Sequence, residues 1–403
     1  MSSKKPNLAV GLDLGSTMTR AVVCLVEQDC LRFLGHGEAP VQAWNRWRLA
    51  EPSALTQSIQ LALQEAERRA QVSPESAVVG IGGCVTGVNS RGLYEFGRKR
   101  EIEPDDLRYA IELAARVRLE EDRQVLQVCP QDFTVDGRAG YRNAKGISCA
   151  RLEANVHVVT ASMQEHDGIV AALHQAHLAV EESIFEGVAA AYAAVIPEDR
   201  ARGVVVVDIG AQSTQVAVYD GDALLLAMAL PVAADHMTRD LSWLLKVDYD
   251  DAESLKRQYG CAVTGLVSER SIIDIPTAEG RGTREASLRQ LNEILEARAE
   301  EIFERVYSEV LRAGMEQSLL EGAVLTGGGA ILPGMCDIAE RMLNCQARNG
   351  LPSGIGDWPS ELDTPVWTVA AGLSMYSGRL KMKRDWKRTP GSLSSSLASL
   401  ISR

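Results

Sequence analysis

The chain repeats itself. Leu8–Cys24, LAVGLDLGSTMTRAVVC, lies over Gly203–Tyr219, GVVVVDIGAQSTQVAVY, without a gap, so that Asp13 falls on Asp208, Gly15 on Gly210 and Ala21-Val22-Val23 on Val216-Ala217-Val218. A self-match constrains the fold more than either copy alone, because both halves of the chain must contain the same local unit. Apolar alternation on either side of a short polar stretch predicts strand, tight turn, strand in each copy. The Asp closes the first strand, and the Gly supplies a turn conformation that other residues resist. Small hydroxyl residues cluster at each turn: Ser16, Thr17 and Thr19 in the first, Ser213 and Thr214 in the second. Two such turns facing each other would offer backbone N–H groups and hydroxyls to a phosphate chain, with the carboxylates of Asp13 and Asp208 placed to hold Mg²⁺ through its water. The plainer alternative, two unrelated core hairpins with polar tips, leaves the ungapped match without a cause.

A third segment points the same way. Residues 323–335, AVLTGGGAILPGM, run from a short apolar strand into Gly327, Gly328 and Gly329 and then into a predicted helix over Met335–Leu343. A glycine run between strand and helix lets the backbone approach a ligand closely. Alone it says little, but strand–Asp–Gly twice and strand–Gly–Gly–Gly once is a specific order. The 403 residues, 46% hydrophobic and 24% charged, suffice for roughly two to four globular domains. A net charge of −12 argues against an extended cationic groove for nucleic acid. The eight cysteines form no C-x-x-C pair and have no His at ligand spacing, which suits reduced thiols of a cytoplasmic protein. The N-terminus enters a strand too soon for a signal peptide, and no apolar run of about 18 residues follows, so neither export by that route nor a membrane span is expected.

Together the two hairpins and the glycine loop resemble the actin, Hsp70 and sugar-kinase superfamily, whose members carry two phosphate loops and an adenosine loop in this order. That resemblance implies an α/β, actin-like two-domain fold around an ATP cleft. Residues 185–192, FEGVAAAY, look like the superfamily's connecting helix, usually E-P-x-A-A-A, with Gly187 in place of the Pro. Residues 251–261, DAESLKRQYGC, look like the segment where a Glu and a Lys three apart, here Glu253 and Lys256, approach the adenosine. Judged alone, these two would be an Ala-rich core helix and an exposed i,i+3 ion pair.

Between 84 and 160 come a helix predicted over EPDDLRYAIELAARVRLEED, a Pro-Gln-Asp-Phe, a turn centred on Gly146 and a strand over Leu152–Val159. This stretch closely resembles the small domain inserted in the bacterial cell-division family FtsA, and the resemblance spans about 8–380. It implies a first actin-like domain from 1–83, 161–200 and about 355–380, with 84–160 inserted. A second domain comprises 203–237 and 318–355, with 238–317 as its outer lobe, and a basic linker and amphipathic helix occupy 381–403. The tail supports this on its own pattern. Arg379, Lys381, Lys383, Arg384, Lys387 and Arg388 precede a Pro-Gly break, and Leu393, Leu397, Leu400 and Ile401 then share one helical face opposite serines. Such a segment is attracted to an anionic membrane surface by about 1 kcal/mol per nearby cation. Its Gly and Ser residues favour helix formation only on contact.

The resemblance implies a protein that binds ATP and Mg²⁺ on the cytoplasmic side of the inner membrane at the division site. There it would polymerise with itself, tether the tubulin-like protein FtsZ by that protein's C-terminal tail, and recruit other division proteins. Gly15, Ser16 and Thr17, with Gly210, Ser213 and Thr214, would cradle the phosphates, and Asp13 and Asp208 would organise Mg²⁺. Gly327–Gly329, Glu253 and Lys256 would hold the adenosine, and Glu186 or Asp208 would orient water for hydrolysis. Arg281, Arg284 and Arg298 in the outer lobe would pair with acidic residues of the FtsZ tail, and read equally well as solvated charges. The second turn departs from the family's D-I-G-G-G-T at Ala211, Gln212 and Ser213. Side chains at 211 and 212 are expected to restrict backbone approach to the phosphates, giving weak binding or, at most, slow ATP turnover. Two alternatives share the loops: a scaffold similar to the pilus protein PilM, which needs no amphipathic tail, and a sugar kinase, which the insert and tail do not suit.

Overall fold

The computed structural model describes residues 6–388, apart from 29, 267, 269 and 278–281. Arg281 and the tail residues Leu393, Leu397, Leu400 and Ile401 thus lie outside the described residues. Both copies of the repeat are hairpins, and each continues into a third strand. Leu8–Leu14, Met18–Val26 and Leu31–Pro40 form one antiparallel meander; Val204–Ile209, Thr214–Asp220 and Ala223–Leu230 form the other. The registers correspond as well: Asp13 faces Arg20 across the first hairpin, and Asp208 faces Gln215 across the second. On its other side each first strand takes a parallel partner, Ser76–Ile81 in one sheet and Ala323–Thr326 in the other.

The first sheet has five strands, with Ala179–Phe185 at one edge and Leu31–Pro40 at the other. The second has nine, because the strands Thr86–Glu101, Arg123–Val135, Arg138–Tyr141 and Ser148–Ser162 extend it past Ala223–Leu230 through a pairing of Met228 with Thr86. The inserted segment therefore continues the second sheet instead of standing beside it. Its helix, Pro104–Ala114, buries Leu107, Ala110 and Ile111 against Leu152 and Val156. The helix stops short of the predicted span because Arg116-Val117-Arg118-Leu119-Glu120 alternates with a period of two, which suits extended chain.

Val204–Ile209 is apolar at five of six positions because both faces of its sheet are covered. Val204 and Val206 enter the core shared with the first sheet, while Val205, Val207 and Ile209 pack on the other face with Leu241, Leu295 and Ile338. Those three belong to helices Ala234–Leu245, Leu288–Arg312 and Met335–Leu343. The connecting helix Glu186–Ala194 crosses the final helix Thr368–Arg388 in direct backbone contact. A Cβ at Gly372 would lie 1.8 Å from the Ala189 carbonyl oxygen, so only glycine permits the crossing. That packing fixes Glu186, the helix's first residue, at the junction of the two sheets.

Candidate functional site

A cleft of about 910 Å³ lies between the two hairpin turns. Asp13, Gly15, Ser16, Thr17, Glu186, Asp208, Gly210, Ser213, Glu253, Lys256 and Gly327–Gly329 all line it, so segments far apart in sequence converge as the sequence predicts. Thr214 does not join them. Side chains alternate along a strand, and with Ser213 and Gln215 facing the cleft, the buried Thr214 hydroxyl donates to the Val232 carbonyl at 2.6 Å. The outer-lobe arginines are held internally: Arg284 donates to the Leu245 carbonyl, and Arg298 makes two bonds to Asp240, at 2.6 and 3.0 Å, besides one to Glu301.

Three carboxylates meet in the cleft. Asp13 and Asp208 are only 7% and 6% exposed. Burial pushes Asp13 up to about 7, opposed by Arg20 and reinforced by Asp208. Burial likewise pushes Asp208 up to about 6, against a hydrogen bond from the Thr326 hydroxyl at 2.8 Å and the charge of Arg20. Glu186 is raised well above the usual carboxylate range by burial and by the charges of Asp13 and Asp208. Gln215 Nε2 donates to Ser213 Oγ at 3.0 Å and reaches Glu186 Oε2 at 3.4 Å, while its buried Oε1 has no partner among the described residues. Such a cluster favours a cation, since each carboxylate has lost water without gaining enough positive charge.

On the other side, Glu253 accepts from Lys256 at 2.6 Å, from the Thr238 hydroxyl at 2.6 Å and from Arg257 at 2.7 Å. Burial raises its pKa, but these three bonds prevail and hold it at about 2. Lys256 also donates to Thr238 at 2.7 Å, so the Glu–Lys pair is a fixed, mostly buried wall of the cleft. Gly327 has φ +81°, and a Cβ there would come within 2.5 Å of the Ile209 carbonyl oxygen and 2.8 Å of Asp208 Oδ1. The glycine loop can therefore sit against the end of the Asp208 strand only without a side chain.

The lining side chains that the sequence reading does not single out include Arg20, Gln215 and Trp47. The first two superpose in the self-match, a polar residue seven after each Asp, and could have been found there. Trp47 belongs to a small hairpin, Trp44–Asn45 paired with Arg48–Leu49, that carries no repeat signal. Two departures in the second turn, Ala211 and Gln212, are placed differently. Ala211 does line the cleft, and its carbonyl accepts from the Asp235 N–H at 2.8 Å. The Gln212 side chain accepts from the Trp47 backbone N–H at 2.9 Å, and Trp47 itself lines the cleft.

Comparison with known proteins agrees with this geometry. A family model described as cell division protein FtsA matches residues 205–372, and one described as the SHS2 domain inserted in FtsA matches 82–160. The chain is 32% identical to the cell division protein FtsA of Pseudomonas aeruginosa over 377 residues, 93% of this chain and 90% of that one. It is 33% identical to that of Borreliella burgdorferi over 374 residues, 92% and 91% of the two chains. Among solved structures, a chain of the PilM–PilN type IV pilus biogenesis complex superposes with a TM-score of 0.66 at 19% identity, covering 92% of this chain and 98% of that one. MreB5 of Spiroplasma citri bound to AMPPNP superposes with a TM-score of 0.55 at 13% identity, covering 95% and 99%. These two likenesses show an actin-like fold. No helix among the described residues is long and apolar enough to cross a membrane.

Proposed function

The chain belongs to the family of the cell division protein FtsA, and on that premise we propose that it is an ATP-binding, actin-like division protein. It polymerises with itself on the cytoplasmic face of the inner membrane, tethers FtsZ there and recruits other division proteins. The observation that carries the nucleotide part is the cluster of Asp13, Glu186 and Asp208, buried between two turns that present backbone and hydroxyls. The same fold holds AMPPNP in MreB5.

The cluster suits Mg²⁺, a hard cation that takes oxygen ligands and keeps several of its waters. No three His, Cys, Asp or Glu side chains among the described residues enclose a metal ion directly. Asp13 and Asp208 would therefore hold Mg²⁺ through water, with phosphate oxygens completing its shell. Bound there, the ion would neutralise charge on the phosphates. Glu186, whose Oε2 lies 3.4 Å from Gln215 Nε2, would orient the attacking water, with Asp208 as the alternative, and turnover would be slow.

Membrane attachment is assigned to the basic stretch and the apolar face of Leu393, Leu397, Leu400 and Ile401. FtsZ docking is assigned to the outer lobe. Because Arg284 and Arg298 are held within that lobe, the anchor there is Trp243, 79% exposed on the helix Ala234–Leu245.

Calorimetric titration with Mg-ATP tests the site: Asp208→Ala should abolish most of the binding, and unchanged binding would remove Asp208 from the site. Co-sedimentation with anionic liposomes tests the tail. The full chain should pellet and a chain ending at Thr389 should not; equal pelleting would leave a PilM-like scaffold as the better reading.

A further inference from the structure

We propose that Gln212 is a clasp across the cleft, which pins the Trp44–Leu49 hairpin of one wall to the second phosphate turn of the other and slows nucleotide release. Its ligand rests on the nucleotide reading above; its geometry does not. The Gln212 amide is matched to the hairpin backbone at both ends: Oε1 accepts from the Trp47 N–H at 2.9 Å, and Nε2 faces the Trp44 carbonyl oxygen at 3.5 Å. A peptide-like side chain thus bridges from the turn after Ile209, in the nine-stranded sheet, to a hairpin that follows the third strand of the five-stranded sheet.

The hairpin needs such a tie. Its two turn residues, Arg46 and Trp47, have φ +48° and +58°, the left-handed region that favours Gly and Asn in two-residue hairpin turns. Side-chain-bearing residues hold that conformation poorly unless bonds from outside support it. One support comes from its own wall, where Glu165 Oε2, on the helix Met163–Gln175, accepts from the Leu49 N–H at 2.7 Å. That helix packs on Pro52–Ala70, which covers the five-stranded sheet. Gln212 supplies the other support, from the opposite wall. Trp44 and Trp47 both line the cleft, so parting the walls enough to free a ligand must break the Gln212 pair, while the hairpin stays with Glu165.

The test uses the full-length protein and two variants. Gln212→Ala removes both bonds; Gln212→Glu keeps the acceptor for Trp47 N–H but sets a carboxylate oxygen against the Trp44 carbonyl. Hydrogen exchange of the peptide spanning 44–49, without nucleotide, should quicken roughly tenfold in the Ala variant, the effect of losing one ordinary hydrogen bond and one long, weaker one. The Glu variant should fall between. Stopped-flow release of Mg-bound mant-ATP should quicken by roughly the same factor, in the same order. Unchanged exchange would overturn the clasp, and faster exchange with unchanged release would overturn its gating role. If the wild type takes up no mant-ATP, the gating role falls with the nucleotide reading, and exchange alone decides the clasp. Should the Ala variant fail to fold, Gln212→Asn, one methylene too short to span the gap, provides the same readouts.

Discussion

Replacing Asp208 with Asn should make the ligand-free protein more stable at neutral and alkaline pH, although this residue sits at the centre of the cleft. Burial raises its pKa from 3.8 to about 6, in spite of the Thr326 hydroxyl and Arg20. A folded pKa above the unfolded one means that the protonated form favours folding. That contribution is full below the unfolded value and is lost as pH rises through about 6. By pH 8 the carboxylate is charged in both states, and its charge disfavours the folded one by about 3 kcal/mol, roughly two pK units at about 1.4 kcal/mol each. Asn has the same shape and keeps an acceptor for the Thr326 hydroxyl, now at 2.8 Å from Asp208 Oδ1, so the penalty is removed with little change in packing. In thermal unfolding followed by circular dichroism, with EDTA and no nucleotide, the variant should melt a few °C higher at pH 8, with the difference vanishing near pH 4. Saturating Mg-ATP should reverse the order, because the wild type alone gains the full binding free energy. A variant that melts at or below the wild type at pH 8 in EDTA would refute the reasoning, since the buried charge would then carry no penalty.

Lys256→Met leaves the mostly buried Glu253 with only Thr238 and Arg257, and should cost roughly 2 kcal/mol in urea unfolding at pH 7. Glu253 has a depressed pKa, so its stabilisation is present above its ordinary value and is lost as pH falls through about 2; the variant's deficit should narrow in acid accordingly. Gly372→Ala would place a Cβ 1.8 Å from the Ala189 carbonyl oxygen, forcing the connecting and final helices apart. Its cost should be at least about 2 kcal/mol in the same assay, and Mg-ATP affinity should fall with it because Glu186 begins the displaced helix.

The parts of the site written in local pattern were legible in the sequence, and those made by contact at a distance were not. Both hairpins and the glycine loop could be read because each is a strand period interrupted by a turn signal. The third strands were harder: ALLLAMAL at 223–230 is a continuous apolar run that periodicity alone cannot assign to strand or helix. Thr214 was misread through attention to residue type over direction, since a period of two sends it to the face opposite Ser213 and Gln215. No local pattern could reveal that Arg298 lies against Asp240, or that Gln212 finds its partners in a hairpin of the other wall. The raised pKa values were equally hidden, because they follow from burial depth, which only the assembled cleft defines.

Arg20 sets how much charge the empty cleft carries. It stands across the first hairpin from Asp13, is held over the Trp367 ring at 5.6 Å, and draws the pKa of both Asp13 and Asp208 down against burial. Burial pushes the Asp13 carboxyl up to about 7, so part of it is protonated at neutral pH and binding of Mg-ATP there should release protons from it. The second copy of the repeat suggests the informative substitution, because its matching position is the neutral Gln215. Arg20→Gln should let both pKa values rise. Proton release on binding at pH 7 should then increase, with contributions from both Asp13 and Asp208, and affinity should fall more steeply as pH drops, since protons compete for both groups. Calorimetry in two buffers of different ionisation enthalpy counts the protons directly. Heats that do not depend on the buffer in the wild type would mean that the carboxylates are already ionised in the empty cleft, and equal release in the variant would mean that Arg20 does not act on them.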